Sequence, residues 1–277
     1  MSKRGVNIED VEFHLLLEAI FQVYDHDFRG YALASLKRRA TQALAKFECA
    51  TFSALQDRVL REPETMRRLL PLFTIGVSDL FRDPDYFRKI REDVVPHLQT
   101  YPSLKVWVAG CSTGEELYSL VILFREAGLE RRTVFYATDI NNEALAIAEA
   151  GAYAMDRVAG FTQNHQRSGG TCSLSDYYTA QYDRALFQRT LRDRVVFSKH
   201  SLVSDAVFAE MNLVSCRNVL IYFERSLQDR AIGLFRDSLM PGGFLGLGSR
   251  ESLRFSTHDD AFSEFSREQR LFRRVAA

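Results

Sequence analysis

Apolar residues recur at helical spacing through the front of the chain and at strand spacing behind it, and the change of period falls near residue 100. Val11, Leu15, Leu16, Ala19, Ile20 and Val23 mark a first helix. Gly30 breaks the pattern before a second helix carrying Lys37, Arg38 and Arg39. Ser53 with Gln56 predicts a capping box opening a third helix, and Pro63 takes a first helical position in a fourth. Asp83-Pro84 repeats the start signal for a helix ending near Pro96 or His97. The reading is therefore an all-helical domain over residues 1–97, a linker over 98–104 containing Pro102 and Ser103, and a second domain over 105–277.

From residue 105 strands and helices alternate, which predicts an α/β fold with a mainly parallel sheet. Val106 to Val108 and Val134 to Ala137 read as strands. Leu117, Leu120, Val121 and Phe124 lie at helical spacing between them. Asn142 to Ala150 is a helix stopped by Gly151, a left-handed cap. Further strands are predicted at 195–198, 213–216 and 244–247, with a helix from Arg225 to Leu239 and a turn at Pro241-Gly-Gly243. The last segment, Gln269 to Val275, alternates in polarity and is expected to close the sheet as an antiparallel strand. Residues 152–194 break the alternation; their tyrosines Tyr177, Tyr178 and Tyr182 predict a small strand-bearing insertion or lid.

Composition narrows the function classes. With 36 basic and 36 acidic residues there is no global pull toward nucleic acid or an anionic membrane. Cys49, Cys111, Cys172 and Cys216 are too scattered for a metal site or a disulfide framework, so no metal is expected. Cys111 and Cys216 read as packing residues and His200 as structural. No apolar leader or membrane-length stretch is visible, and the expectation is a reduced, cytoplasmic, monomeric protein.

The candidate chemistry lies in Lys105-Val-Trp-Val-Ala-Gly-Cys-Ser-Thr-Gly-Glu-Glu116 followed by Ala137-Thr-Asp-Ile140, which reads as strand, glycine loop, helix, strand and acidic residue. Such units place a carboxylate for ribose hydroxyls at about the position of Asp139. A pyrophosphate needs exposed backbone N–H groups and no nearby anion, so Glu115 and Glu116 disfavour a dinucleotide. A cationic nucleoside such as S-adenosylmethionine fits them better. On residues alone, dinucleotide binding and a purely structural turn stay open. So do a helix-dipole role for Glu115 and Glu116, a helix cap at Asp139, and a surface ion pair of Arg82 with Asp83 or Asp85.

Five segments in register carry a family resemblance: Leu80-Phe-Arg-Asp-Pro-Asp-Tyr-Phe87, Gly110-Cys-Ser-Thr-Gly-Glu-Glu116 with Tyr118-Ser119, Ala137-Thr-Asp-Ile140, Cys216-Arg-Asn-Val-Leu-Ile-Tyr-Phe223, and Pro241-Gly-Gly243 with Leu247-Gly248. The chain resembles the CheR-type protein-glutamate methyltransferases. The resemblance implies a class I, Rossmann-like methyltransferase domain behind an all-helical N-terminal domain, with S-adenosylmethionine between them and S-adenosylhomocysteine as product. It implies methylation of glutamates on the cytoplasmic helices of bacterial chemoreceptors. By position it makes Gly76, Ser78, Arg82, Gly110, Glu115, Asp139, Ser201, Leu202, Arg217 and Asn218 cofactor contacts, with Arg82 orienting cofactor or substrate. The basic helix bearing Lys37, Arg38 and Arg39 becomes a docking face for acidic receptor helices.

The chain departs from the family pattern where Gly76 and Ser201 replace Asn, Leu117 replaces Pro, Leu80 replaces Phe and Asn212 replaces Asp. Each lost amide removes hydrogen bonds worth about 0.5–1.5 kcal/mol. Those losses permit an alternative, a cofactor-binding regulatory or scaffold protein of the same fold without receptor methylation. A methyltransferase of small molecules or nucleic acid would need a distinctive pocket or a basic aromatic groove, and neither is visible in the sequence.

Overall fold

The computed structural model describes residues 7–74, 76 and 78–275. Two compact units emerge, one of Met1–Ile75 with Ile221–Gln228, the other of Gly76–Leu220 with Asp229–Ala277.

The first unit is built on α1 (Ile8–Tyr24), α2 (Leu33–Lys46), α3 (Phe52–Arg61) and α4 (Pro63–Phe73). Asn7 caps α1, its side chain accepting from the Glu9 N–H. The buried face of α1 is Phe13, Leu16, Leu17 and Ile20, one helical stripe. Val11, Leu15 and Val23, which also recur at helical spacing, are 43%, 51% and 53% exposed, Val11 and Leu15 on the opposite side of that stripe and Val23 on its flank. Thr51 caps α3 by accepting from the Ala54 N–H at 3.1 Å. The expected Ser53–Gln56 box does not form: Ser53 donates to Glu12 and Gln56 donates to the Leu15 carbonyl.

The three cations of α2 part company. Lys37 Nζ sits 2.6 Å from Asp10 and 3.0 Å from Glu9. Arg38 is exposed. Arg39 is buried at 6% exposure, over the Tyr222 ring, and no atom of its guanidinium has a hydrogen-bond partner. Burial pulls it below the ordinary guanidinium value. Of the three residues expected on a docking face, Arg38 is exposed, Lys37 is half-buried in its ion pairs and Arg39 is buried. A buried cation without hydrogen-bond partners is costly, so Arg39→Met should raise the unfolding free energy by about 1 kcal/mol or more. Thermal unfolding checks this, and a lowered midpoint would contradict it.

In the second unit α5 (Pro84–Lys89) runs through a π-helical turn, Ile90–Val94, into α6 (Val95–Leu98). Tyr86, Phe87, Ile90, Val94 and Leu98 share one core with Val106, Leu120 and Phe135. This packing moves the boundary from the expected 97/98 to 75/76. Of residues 98–104, expected as a linker, Leu98 ends α6 and Leu104 opens the first strand, and 99–103 form the turn between them inside the second unit.

Among the described residues β1 (Leu104–Ala109), β2 (Thr133–Asp139), β6 (Val195–Lys199), β7 (Met211–Cys216), β8 (Leu239–Leu247), β9 (Phe262–Ser266) and β10 (Leu271–Arg274) make a seven-stranded sheet in the order β6-β2-β1-β7-β8-β10-β9. Strands β6 to β8 in that order are parallel, and β10 is antiparallel to both neighbours. The last strand is antiparallel as expected, but the unforeseen β9 forms the edge. Pro241-Gly-Gly243 lies within β8, beside a register shift of β7 against it, where a turn was expected. Around the sheet lie α7 (Glu115–Glu126), α8 (Asn142–Ala150, closed by Gly151 at φ 64°) and α10 (Arg225–Ser238). The expected insertion is present: β3 (Ala152–Ala154), β5 (Arg184–Phe187) and β4 (Tyr178–Gln181) form an antiparallel sheet beside α9 (Val158–Arg167).

Candidate active site at the strand tips

The carboxyl ends of β1 and β2 converge through their loops. Gly110 (φ 72°) and Gly114 (φ 93°) adopt left-handed conformations, and a Cβ on Gly110 would stand 2.6 Å from Val219 Cγ2. Gly110 N and Cys111 N donate to the Thr138 carbonyl at 2.8 and 2.9 Å, and Gly114 N donates to the Cys111 carbonyl at 3.0 Å. Ser112 N donates to Asp139 Oδ2 at 2.9 Å. These N–H groups, of the kind a pyrophosphate would require, are thus already engaged, three by the end of β2 and one within the loop.

Asp139 ends β2 half-buried, and Asn141 N donates to its other oxygen at 2.9 Å. Burial pushes the Asp139 carboxyl up from its ordinary value, while backbone N–H groups of Asn141, Ser112 and Ile140 pull it back. The cap of α8 is Asn141, which accepts from Glu143 N and Ala144 N. Asp139 is therefore not needed as that cap.

Glu115 opens α7 at 1% exposure. Its Oε1 accepts from Arg157 Nη1 at 2.7 Å and its Oε2 accepts from Thr113 Oγ1 at 2.7 Å. Glu116 turns toward β7, where Oε1 accepts from Ser215 Oγ at 2.7 Å. Ser215 Oγ also lies 2.8 Å from the Tyr86 hydroxyl.

Arg82 lies on a turn flanked by two residues in the left-handed region, Phe81 (φ 51°) and Asp83 (φ 58°). Such backbone persists only where the surroundings hold it. Here Phe81 N donates to Ser119 Oγ at 2.7 Å, Asn164 Nδ2 donates to the Leu80 carbonyl at 3.1 Å, and Arg217 Nη1 donates to the Arg82 carbonyl at 3.2 Å. Arg217 Nη2 donates to Asp83 Oδ2 at 2.6 Å, and its guanidinium lies 4.0 Å over the Tyr86 ring. The carboxylate of Asp83 thus meets Arg217, and that of Asp85 meets Arg88.

The remaining expected contacts stand at the same sheet ends. A Cβ on Gly76 would come 3.2 Å from Ser112 Oγ. The Ser78 carbonyl accepts from Arg157. Ser201 follows β6 next to Asp139, whose carbonyl accepts from His200 N at 3.2 Å. Its hydroxyl accepts from Val203 N and Ser204 N, and Leu202 is buried. Asn218, at φ 61°, donates its N–H to Glu251 Oε2 at 3.0 Å.

Two expected contacts are qualified by this geometry. The Arg217 side chain is occupied by the 82–83 turn and by Glu116, 3.4 Å away, so its guanidinium braces the site. Glu115 shares its carboxylate with Arg157, which the sequence reading missed. Glu251 and Tyr153, whose hydroxyl donates to the Thr113 carbonyl at 2.8 Å, were missed as well. None of the three lies in a motif; Arg157 and Tyr153 come from the insertion. Cys111 and Cys216 are buried, and burial pushes both thiols well up, as befits packing residues. The His200 ring packs edge-on to Trp107.

The carboxylates of the site fit a cationic nucleoside better than a dinucleotide. Asp139 offers carboxylate oxygens at the end of β2, and Glu115 holds a carboxylate paired with Arg157 at the start of α7. Among the described residues no helix is long and apolar enough to cross a membrane.

Family models agree with the two units. The CheR methyltransferase all-alpha domain matches residues 11–74, and the CheR methyltransferase SAM binding domain matches residues 76–270. A Pseudomonas putida protein named "Putative methyltransferase Cher3" is 53% identical over 96% of this chain and 97% of its own length. A Listeria innocua protein named "Chemotaxis protein methyltransferase" is 29% identical over 82% of this chain and 84% of its own. "Chemotaxis protein methyltransferase 2" of Pseudomonas aeruginosa is 26% identical over 89% and 91%. The chain belongs to the CheR family of methyltransferases, which take S-adenosylmethionine as cofactor and release S-adenosylhomocysteine.

Proposed function

We propose that this chain methylates glutamate side chains on the cytoplasmic helices of bacterial chemoreceptors, giving glutamyl methyl esters, and that it works in the cytoplasm. The observation that carries this reading is the set of relatives named chemotaxis protein methyltransferase, which align over 82% or more of the chain.

The chemistry asks little of the protein in proton transfer. The bound cofactor supplies an electrophilic methyl group on a sulfonium. A substrate glutamate, with a pKa of about 4.3, arrives ionised and needs no base. Its oxygen forms the new bond to the methyl carbon, and the carbon–sulfur pair stays on sulfur, so two charges vanish. Such a reaction is favoured by alignment and exclusion of water.

In this reading Asp139 accepts from the ribose, and Glu115 attracts the cationic part of the cofactor. Gly76, Ser78, Gly110, Ser201, Leu202 and the Asn218 backbone line its seat. Arg82 orients a carboxylate without forming a covalent bond. Arg38 meets the acidic receptor helix.

Transfer of labelled methyl to a chemoreceptor cytoplasmic fragment tests the proposal. The label should leave as methanol in mild alkali, as an ester requires. Alkali-stable label, or no transfer, would refute it. Arg38→Glu should slow transfer about tenfold through encounter alone, leaving S-adenosylhomocysteine affinity unchanged.

A further inference from the structure

We propose that Arg157, supplied by the insertion, is a positioning residue for the cofactor: its guanidinium fixes the Glu115 carboxylate and the 78–79 backbone in one geometry. This rests on the reading that Glu115 contacts the cofactor. The two segments it joins come from different parts of the chain, and each holds an expected cofactor contact, Ser78 in one and Glu115 in the other.

The geometry is that of a fork. Nη1 donates to Glu115 Oε1 at 2.7 Å, while Nη2 donates to the Ser78 carbonyl at 2.5 Å and lies 3.4 Å from Asp79 Oδ1. The guanidinium also rests 4.8 Å over the Phe161 ring on α9, which limits its swing. The planar guanidinium holds both partners at once, whereas an ammonium is a point charge on a flexible stem. Glu115 is almost wholly buried, so its charge needs these donors, and the other donor it meets among the described residues, Thr113 Oγ1, is neutral. Tyr153 adds a second brace from the insertion to the same loop through the Thr113 carbonyl. The start of the insertion is therefore part of the scaffold that aims the cofactor loop.

Calorimetric titration of S-adenosylhomocysteine into the full chain tests this, with Arg157→Gln, Arg157→Lys, Glu115→Gln and the Arg157→Gln/Glu115→Gln double variant. Thermal unfolding is recorded for each. Arg157→Gln should weaken binding about tenfold, the loss typical of a charge-assisted hydrogen bond. Arg157→Lys should recover part of that loss. The double variant should lose less than the sum of the two single losses, because both substitutions break the Arg157–Glu115 interaction and only Arg157→Gln also frees the Ser78 carbonyl. A freed carboxylate attracts a cation more strongly, so binding by Arg157→Gln that is unchanged or tighter, beside a weakened Glu115→Gln, overturns the positioning role. Fully additive losses overturn it too. Unchanged binding by Glu115→Gln overturns the underlying contact instead. Should Arg157→Gln fail to fold, Arg157→Lys decides: wild-type affinity at an unaltered melting temperature overturns the proposal, and a loss at that temperature supports it.

Discussion

Replacing Glu126 with alanine is expected to lower the unfolding free energy of the second unit by about 3–5 kcal/mol, the largest stability loss of any single substitution considered. Glu126 ends α7 with a side chain 0% exposed, and Arg91 Nη2 lies 2.7 Å from its Oε2. His165 Nε2 of the insertion lies 2.9 Å from Oε1, and the Tyr177 hydroxyl donates to the same oxygen at 3.1 Å. Its removal leaves Arg91, 15% exposed, and the buried His165 without their anion. Burial by itself pushes the Glu126 carboxyl up, but the His165 hydrogen bond and the Arg91 charge outweigh it, so the carboxyl titrates below its usual value. The stability it contributes is present above the ordinary carboxylate range and is lost as pH falls through the lowered value. Calorimetric unfolding over an acid series should therefore show a steeper decline for the native chain than for Glu126→Ala. Equal stability at neutral pH would contradict the ion-pair account.

Asp139→Ala is expected to weaken S-adenosylhomocysteine binding by about a hundredfold or more. The substitution removes charged acceptors for the ribose and also the anchor of Ser112 N, and each charge-assisted bond is worth about 1.5–3 kcal/mol. Titration gives a second signature. The folded Asp139 carboxyl holds its proton more tightly than the ordinary value of 3.8. Cofactor affinity should fall as pH drops through that raised value, and Asp139→Ala should be indifferent to the same change. The sign for stability is opposite to that of Glu126: the penalty of Asp139 is absent below the ordinary value and complete above the raised one. Calorimetric titration across the acid range measures the binding effect, and unchanged affinity at neutral pH would remove Asp139 from the site.

The strand, glycine loop, helix and acidic tip around Gly110, Glu115 and Asp139 were legible in the sequence because they are contiguous, and a local pattern specifies a local unit. The Gly151 cap and the insertion were legible for the same reason. The unit boundary was not. The Asp83-Pro84 start signal marks a helix ending near Pro96 or His97, but only packing of Tyr86, Phe87 and Ile90 against Val106 assigns it to the second core. The α2 cations illustrate another limit. Successive helical residues are rotated by about 100°, so Lys37, Arg38 and Arg39 cannot share one face, and the last turns inward. Arg157 and Glu251 escaped notice because their partners, Glu115 and the Asn218 N–H, are remote in sequence. Side chains that brace a site from a distance leave no spacing to read.

The most direct measurement of the central claim is a crystal structure of the chain with S-adenosylhomocysteine. The account predicts ligand density at the carboxyl ends of β1 and β2, with ribose hydroxyls within hydrogen-bond distance of Asp139 and the amino-acid end beside Glu115. Ligand bound elsewhere on the chain, with the Asp139 carboxylate still engaged only by Ser112 and its neighbouring backbone, would contradict it.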